Sequence, residues 1–185
     1  RPEAALVALN PRNGQILAVV GGRNYRFSKY NRVVRGRRQI GSAIKPLIFA
    51  AAVESGFTPD TPVVDEPITY TINGRPWTPQ NFDGEYRGVI TLRDALAWSV
   101  NTVAVRLVDE LGVKPVFTFL RRMGLSLVES GARNDQALAP LALGGLTEGV
   151  APLELCAAFT VLANAGIRSS PLAVLRVEDR QGRVL

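Results

Sequence analysis

The amino-acid sequence predicts an α+β fold, in which helices pack on an antiparallel sheet. Three observations lead to this prediction: two β-prone runs open the chain, helical periodicity dominates its middle, and a further β-prone run closes it. With 185 residues, of which 46% are apolar and 21% charged, the chain has ordinary globular composition and enough length for a core. This composition excludes disordered and fibrous proteins.

The opening and closing runs predict strands. Ala4 to Leu9 and Gln15 to Val20 flank a loop that contains Asn13-Gly14, a strong hairpin signal, so we expect two antiparallel strands there. The chain closes with Leu172 to Glu178, a turn at residues 179–182 and a short run. This closing segment is expected to form a hairpin whose second strand is cut off.

The first long helix is predicted from Ser42 to Glu54, with Gly56 ending it. Pro46 lies about one turn in, where few backbone hydrogen bonds are lost. Because the run that follows Pro46 is apolar on every face, the helix should be central and buried. Ser42 then lies at the amino end of the core helix.

The middle of the chain predicts loops and then further helices. Five prolines between Phe57 and Val89 favour long loops and short strands. Thr91, with Asp94 three residues later, resembles a capping box. Two helices are expected to meet at Ser99 to Asn101, with Asn101 capping the second. Helices are also predicted at two later stretches, Lys114 to Met123 and Leu153 to Asn164.

Composition limits the chemistry that the chain can perform. The sequence has no histidine and one cysteine, so neither an intrachain disulfide nor a CxxC metal site can form. Acid–base chemistry must come from Lys, Asp, Glu or Tyr, and the absence of histidine removes the commonest metal ligand. Cys156 lies in an apolar run, where a small buried thiol is expected rather than a reactive one.

The net charge of +6 favours anionic partners, but nineteen of the 22 basic residues are arginine, which fits charges spread over solvated faces. No nucleic-acid-binding motif accompanies the charge, so no nucleic-acid partner is expected. No apolar stretch reaches the length of a membrane span, and the chain is expected to be soluble or cut from something larger.

Ser42 and Lys45 form a Ser-x-x-Lys pair at the start of the core helix. The spacing puts the hydroxyl and the amine on one face within hydrogen-bond reach. Serine needs a neighbouring base, and in a chain without histidine a lysine is the natural substitute. Its amine must be neutral, which burial and nearby positive charge promote, and the run of Arg35, Arg37 and Arg38 is expected to supply that charge.

The alternative for this pair is structural, with the serine as a helix cap and the lysine on the surface. Eight serines and three lysines give roughly 0.1 such pairs by chance, so the motif is moderately specific. Ser99-Val100-Asn101 is a weaker signal, and its structural alternative is a cap at the helix joint. Taken in this order, the two motifs match the serine acyl-transfer pattern of penicillin-recognising enzymes.

Longer stretches strengthen this match, and the chain resembles the transpeptidase domain of class A, bifunctional penicillin-binding proteins over nearly its whole length. The resemblance rests on Arg37-Arg38-Gln39, Gly41-Ser42, Lys45-Pro46, Asn81-Phe82-Asp83-Gly84, Thr91 to Leu96, Ser99 to Thr102, Leu143-Gly144-Gly145, Pro152 to Leu155 and Asn164-Ala165-Gly166. It implies a penicillin-binding protein/serine β-lactamase-like fold that attacks the D-Ala-D-Ala end of a peptidoglycan stem peptide. By this resemblance Ser42 forms the acyl-enzyme, Lys45 is its base, Ser99 relays a proton and Asn101 positions the substrate amide.

The resemblance also implies the partners and the location. β-Lactams are expected to acylate the serine because they mimic the peptide end, and no cofactor or metal is implied. The parent protein is expected to carry a membrane anchor and a glycosyltransferase domain, and to act at the extracytoplasmic face of the bacterial membrane. Residues 1–185 are expected to be the N-terminal portion of a single transpeptidase domain.

Two features depart from the family pattern. Ile40 stands where the family usually has proline, which changes little. The family's third motif, Lys-Thr-Gly or Lys-Ser-Gly, occurs nowhere in the sequence. The fold is therefore expected to be incomplete at the C-terminus and this chain alone to be incompetent. A DD-carboxypeptidase and a non-catalytic peptidoglycan-binding or scaffold protein remain the alternatives.

Overall fold

The structure is a computed structural model that describes residues 2–131 and 134–185. Its elements, in chain order, are β1 Leu6–Leu9, β2 Ile16–Val20, α1 Arg32–Arg35, a 3-10 turn Gly41–Ile44, α2 Lys45–Glu54, β3 Pro62–Asp65, β4 Tyr70–Ile72, β5 Arg75–Trp77, β6 Gly88–Thr91, α3 Leu92–Ala97, α4 Asn101–Leu111, α5 Val113–Arg122, α6 Leu138–Leu143 and α7 Pro152–Ala163. They divide into two compact units. The first holds the chain up to residue 38 with residues 123–126 and 150–185, and the second holds the rest.

The first unit is built on the opening hairpin. β1 and β2 pair antiparallel, as predicted, with a bulge after Ala8, and α7 packs against β1. The connection is longer than a two-residue Asn-Gly turn. The Gly14 N–H donates to the Asn10 carbonyl at 2.8 Å, and Gly14 has φ 74°. The close approach of the Ser170 carbonyl explains the glycine, because a Cβ on Gly14 would lie 1.9 Å from that oxygen.

The closing segment corrects the prediction of two further strands. The turn is present, since the Asp179 N–H donates to the Arg183 carbonyl at 2.9 Å. On either side of the turn only an isolated bridge forms, between Glu178 and Val184, and a second bridge joins Leu172 to Gln15. Val174 to Val177 find no continuous partner strand among the described residues, so no ladder extends along them.

The second unit is organised around α2, which is central and buried, as predicted. Leu47, Ile48 and Ala52 are fully buried, and the helix packs against α3, α4, α5 and α6. The helix begins later than expected, because its first predicted turn winds as the 3-10 turn Gly41–Ile44. Pro46 lies at the start of α2, where its missing N–H costs little.

Residues 57–91 of the second unit form loops and short strands, as predicted. β3 pairs antiparallel with β6, and β4 pairs with β5 across a tight turn at Asn73-Gly74. Two short helices, α1 and α6, were not predicted; they have four and six residues and are too short to show a helical period.

The joint between α3 and α4 confirms one predicted cap and corrects the other. The Thr91 hydroxyl accepts a hydrogen bond from the Asp94 N–H at 3.1 Å and caps α3. Asn101, the predicted cap of α4, is instead its first helical residue, and Val100 precedes it without a side-chain cap. Asn101 uses its side chain elsewhere, in the cleft described next.

Candidate active site

A cleft of about 340 Å³ lies in the second unit at the α3–α4 joint. Its lining residues are Ser42, Asn81, Phe82, Asp83, Arg87, Trp98, Ser99, Val100 and Asn101. Three of the four residues predicted to form a site therefore line one cleft. The fourth, Lys45, contacts two of them.

Ser42 lies on the 3-10 turn and is exposed to solvent. The turn is fixed from outside, because the Gly41 N–H donates to the Gly144 carbonyl at 3.2 Å. Gly144 must itself be glycine: it has φ 69°, and a Cβ there would lie 2.2 Å from the Gly41 carbonyl oxygen. Two backbones in contact thus hold the segment that presents the Ser42 hydroxyl.

Lys45 is only 1% exposed, which is rare for a lysine. Its Nζ donates to three oxygens of the helix joint: Ser99 Oγ at 3.0 Å, Asn101 Oδ1 at 2.6 Å and the Ser99 carbonyl. An ammonium has three N–H donors, so these acceptors use all of them. The interpretation of Lys45 as a snorkelling surface residue is therefore wrong.

Within residues 2–131 and 134–185 no hydrogen bond joins Ser42 Oγ to Lys45 Nζ. The hydrogen bond that the spacing of Ser42 and Lys45 allows is therefore not formed, because Lys45 Nζ donates to Ser99 and Asn101 at the helix joint instead. Loss of one proton leaves the amine with two N–H groups and a lone pair. Deprotonation thus frees one acceptor contact and creates the electron pair that a base requires.

Burial lowers the pKa of Lys45 from 10.5 to about 8. Burial accounts for this shift, so the predicted contribution of Arg35, Arg37 and Arg38 is not its cause. At pH 7 a pKa near 8 leaves roughly a tenth of the amine neutral, about 300-fold more than an unperturbed lysine. The buried amine is thereby closer to the state that a general base needs.

Ser99 adopts a backbone conformation that residues other than glycine seldom take, with φ 55°. This conformation turns both its carbonyl and its hydroxyl to Lys45 Nζ. Such backbone strain is held only where surrounding structure enforces it, and it is concentrated at functional sites. The joint therefore presents two oxygens of one residue to one amine.

Asn101 is held from two directions by the segment before β6. Its Nδ2 donates to the Gln80 carbonyl at 2.8 Å, which leaves Oδ1 to accept from Lys45. Its backbone N–H donates to Asn81 Oδ1 at 2.9 Å, and the Thr102 N–H reaches the same oxygen at 3.3 Å. Asn81, twenty residues upstream, thus performs the capping role predicted for Asn101.

Asn81 is in turn held by Asp65, which is fully buried at the end of β3. Asp65 accepts hydrogen bonds from Asn81 Nδ2 at 2.7 Å, Thr102 Oγ1 at 2.6 Å and the Arg87 N–H at 3.0 Å. The Arg87 guanidinium lies 3.6 Å away and balances the charge. We call these four residues the Asp65 network. Sequence reasoning missed it; the available signal was an acidic residue directly after the apolar Val63-Val64 pair.

The rim of the cleft is aromatic and charged. Phe82 is fully exposed and Trp98 is about half exposed. The Arg87 guanidinium lies 5.4 Å from the centre of the Trp98 ring and also pairs with Asp83. This rim offers flat apolar surface beside ordered charges.

Other sites expected or excluded from sequence can also be located. Cys156 on α7 is partly buried, and burial raises its pKa, in line with an unreactive thiol. Among the described residues, no three His, Cys, Asp or Glu side chains are grouped as metal ligands. Within the same residues, none of the helices combines the length and the apolarity needed to span a membrane.

Comparison with known sequences identifies the family. The family described as "Penicillin binding protein transpeptidase domain" matches residues 4–184. Penicillin-binding protein 1A of Aquifex aeolicus is 39% identical over 99% of this chain, and that of Pseudomonas aeruginosa is 37% identical over 99%. The chain covers 24% and 22% of these two relatives, so it spans about a quarter of their length.

Solved structures agree with the sequence comparison. The crystal structure of penicillin-binding protein 1A from Haemophilus influenzae matches 99% of this chain, and 26% of its own, with a TM-score of 0.87 at 35% identity. PonA1 from Mycobacterium tuberculosis, solved in complex with penicillin V, matches 98% of this chain, and 48% of its own, with a TM-score of 0.82 at 26% identity. These matches confirm the predicted α+β fold and the resemblance to class A proteins, and the chain belongs to the penicillin-binding protein transpeptidase domain family.

Proposed function

We propose that this chain carries the nucleophile half of a serine acyl-transfer site, in which Ser42 forms an acyl-enzyme with the D-Ala-D-Ala end of a peptidoglycan stem peptide. The observation that carries the proposal is the buried Lys45 amine, with a lowered pKa, bonded to Ser99 and Asn101 of the cleft that Ser42 lines. Serine chemistry without histidine requires another base near the serine, and a buried amine of lowered pKa bonded to residues of the same cleft meets that requirement.

In the first step, the neutral Lys45 amine takes the proton of Ser42 Oγ. The oxygen attacks the carbonyl carbon of the penultimate D-Ala and forms the C–O bond. The lone pair becomes available when one of the three Nζ contacts at the joint is given up. Proton transfer of this kind typically contributes a rate factor of about 10² to 10⁴.

In the second step, the C–N bond to the terminal D-Ala breaks and its amine needs a proton. Ser99 Oγ lies 3.0 Å from Lys45 Nζ. Ser99 can therefore pass the proton that Lys45 took from Ser42 on to the nitrogen of the leaving D-Ala. Asn101, oriented by Gln80 and Asn81, positions the substrate amide. Attack on the ester by an acceptor amine completes transpeptidation, and attack by water completes a carboxypeptidase reaction.

A labelled penicillin tests the proposal, because a β-lactam that opens on Ser42 leaves a stable ester whose mass and position can be mapped. We expect one adduct, on the peptide that contains Ser42, and none on Ser42→Ala. An adduct that survives Ser42→Ala would remove Ser42 from the mechanism. No adduct on any form would favour the non-catalytic peptidoglycan-binding or scaffold alternative.

The rate at which residues 1–185 alone react with penicillin is a separate part of the proposal. We propose that residues 1–185 are the N-terminal portion of one transpeptidase domain, whose parent carries a membrane anchor and a glycosyltransferase domain and acts outside the bacterial membrane. A version lengthened along its reading frame through a Lys-Thr-Gly or Lys-Ser-Gly should acylate faster by about a hundredfold or more, since each oxyanion donor is typically worth that factor. Equal rates would show that the 185 residues suffice.

A further inference from the structure

We infer that Asn81 and Asp65 are positioning residues of the site, which set the orientation of Asn101 and through it the contacts of Lys45. The inference deepens the proposed function and rests on it. Neither residue belongs to the Ser-x-x-Lys or Ser-x-Asn motif.

Asn81 holds the amino end of α4. That end begins without a local side-chain cap, and the Asn81 Oδ1 accepts from the N–H groups of both Asn101 and Thr102. The first N–H groups of a helix have no partner within it, so this distant cap fixes where α4 starts. The position of Asn101 along the cleft follows from that start.

The same segment decides which atom of the Asn101 amide faces the lysine. The Gln80 carbonyl accepts from Asn101 Nδ2, so Oδ1 is the atom that remains for Lys45 Nζ at 2.6 Å. A rotated amide would point N–H groups at an ammonium, which also has only donors. Residues 80–81 therefore set both the place and the orientation of Asn101.

Asp65 orients Asn81 by the same logic. The carboxylate accepts from Asn81 Nδ2 at 2.7 Å, and the Glu85 carbonyl accepts from that nitrogen at 2.8 Å. Both acceptors select the amide orientation that turns Asn81 Oδ1 to α4. Asp65 is fully buried and Asn81 is 6% exposed, so water does not readily replace either contact.

The test uses two measurements on the 185-residue chain. Penicillin acylation reports the chemistry. Lysine ¹³Cε NMR titration reports Lys45 without requiring catalysis, and because the sequence has only three lysines, the Lys45 signal can be assigned by its loss in Lys45→Arg. An accepting Asn101 oxygen favours the charged amine, so its displacement should lower the titration midpoint.

We expect Asn81→Ala to lower the titration midpoint of Lys45 by at least about half a pH unit and to slow acylation at least about tenfold. Both measurements are made well below the melting temperature of the variant. Val116→Ala is the matched control, because Val116 is buried in α5 outside the network. It should lower the melting temperature without moving the midpoint. If Asn81→Ala does not fold, Thr102→Val, which removes only the hydroxyl bond to Asp65, should produce the same changes at smaller size.

Exchange of the carboxylate and the amide between positions 65 and 81 gives a more specific test. Asn81→Asp puts two carboxylates in contact, and adding Asp65→Asn restores one donor and one acceptor. The double variant should therefore recover part of the acylation rate and of the Lys45 midpoint that Asn81→Asp loses. The inference is overturned if Asn81→Ala or Thr102→Val matches Val116→Ala, or if the exchange recovers nothing. If neither the 185-residue chain nor the version lengthened through a Lys-Thr-Gly or Lys-Ser-Gly forms a Ser42 adduct, the proposed function fails, while the titration still decides the positioning.

Discussion

Lys45 has two requirements on one nitrogen in the proposed mechanism. Its Nζ donates hydrogen bonds to Ser99 and Asn101 at the joint between α3 and α4, and it must also offer a lone pair that accepts the proton of Ser42. Burial resolves this conflict by lowering the pKa to about 8, so that the neutral form is accessible near neutral pH. The identity of this side chain is therefore more restricted than its charge alone suggests.

Replacement of Lys45 by arginine should be nearly as damaging as replacement by alanine. A guanidinium can donate to Ser99 and Asn101, but it does not lose its proton in a protein. We expect both variants to slow penicillin acylation by about a hundredfold or more. If Lys45→Arg kept the rate within about tenfold, roughly 1.4 kcal/mol of barrier, Lys45 would be an electrostatic contact and not a base.

The pH dependence of acylation should follow the neutral fraction of Lys45. The active form is the deprotonated amine, so the rate should rise about tenfold per pH unit below the pKa and level off above it. With a pKa of about 8, the bend is expected near pH 8. Single-turnover acylation between pH 6 and pH 9.5, on a chain shown to remain folded over that range, measures it. A rate that falls with rising pH would contradict this assignment.

At the scale of elements, the site depends on where helices begin. Sequence periodicity and capping signals predicted α2, the Thr91 cap and the joint at Ser99 to Asn101, since each depends on neighbours along the chain. The 3-10 start of α2 and the cap supplied by Asn81 could not be predicted in this way. Both depend on contacts between segments distant in sequence, Gly41 with Gly144 and Asn81 with Asn101.

The difference between local signals and contacts distant in sequence also explains why only part of the site could be predicted. The sequence singled out Ser42, Lys45, Ser99 and Asn101, and the structure brings the last three into hydrogen-bond contact and lines one cleft with Ser42, Ser99 and Asn101. Asp65 was missed because its one local signal, an acidic residue after two apolar strand residues, does not show whether the carboxylate is buried. Its buried state becomes evident only once three donors converge on it.

Gly144→Ala should lower the free energy of unfolding more than Gly74→Ala does, although both glycines lie in turns. Both Gly144, with φ 69°, and Gly74, with φ 74°, are left-handed, but only Gly144 would place a Cβ against backbone, 2.2 Å from the Gly41 oxygen. Gly74→Ala should cost about 1–2 kcal/mol of backbone strain, and Gly144→Ala about 1–3 kcal/mol beyond it. Urea unfolding gives both values. Equal losses would show that the Gly41–Gly144 contact is adaptable.

At the scale of the whole molecule, the opening hairpin is one of the segments that expose apolar side chains. Leu6, Leu17 and Val20 are each at least half exposed, and in the described residues the sheet of β1 and β2 has no third strand. A short sheet with open edges and apolar side chains can pair with another chain. We therefore expect copies of this chain to associate through the hairpin.

We expect the isolated chain to show a solution mass that increases with concentration. Leu17→Lys should reduce this association, because it puts a charge on the apolar hairpin. Val53→Lys is the control, since Val53 is equally a half-exposed apolar residue but lies on α2. Light scattering coupled to size-exclusion chromatography measures both. A constant monomer mass at all concentrations, or equal effects of the two substitutions, would contradict the role of the hairpin.

The burial of Lys45 has a practical consequence for following the state of the molecule. Lys29 and Lys114 are exposed, whereas Lys45 is 1% exposed and fully engaged. An amine-reactive acetylating reagent therefore modifies the Lys29 and Lys114 side chains in the native chain and gains access to the Lys45 side chain only when the structure opens. Intact mass spectrometry then resolves native from opened molecules by the addition of one acetyl group, so the rate at which Lys45 is acetylated records how often the core around the site opens to solvent.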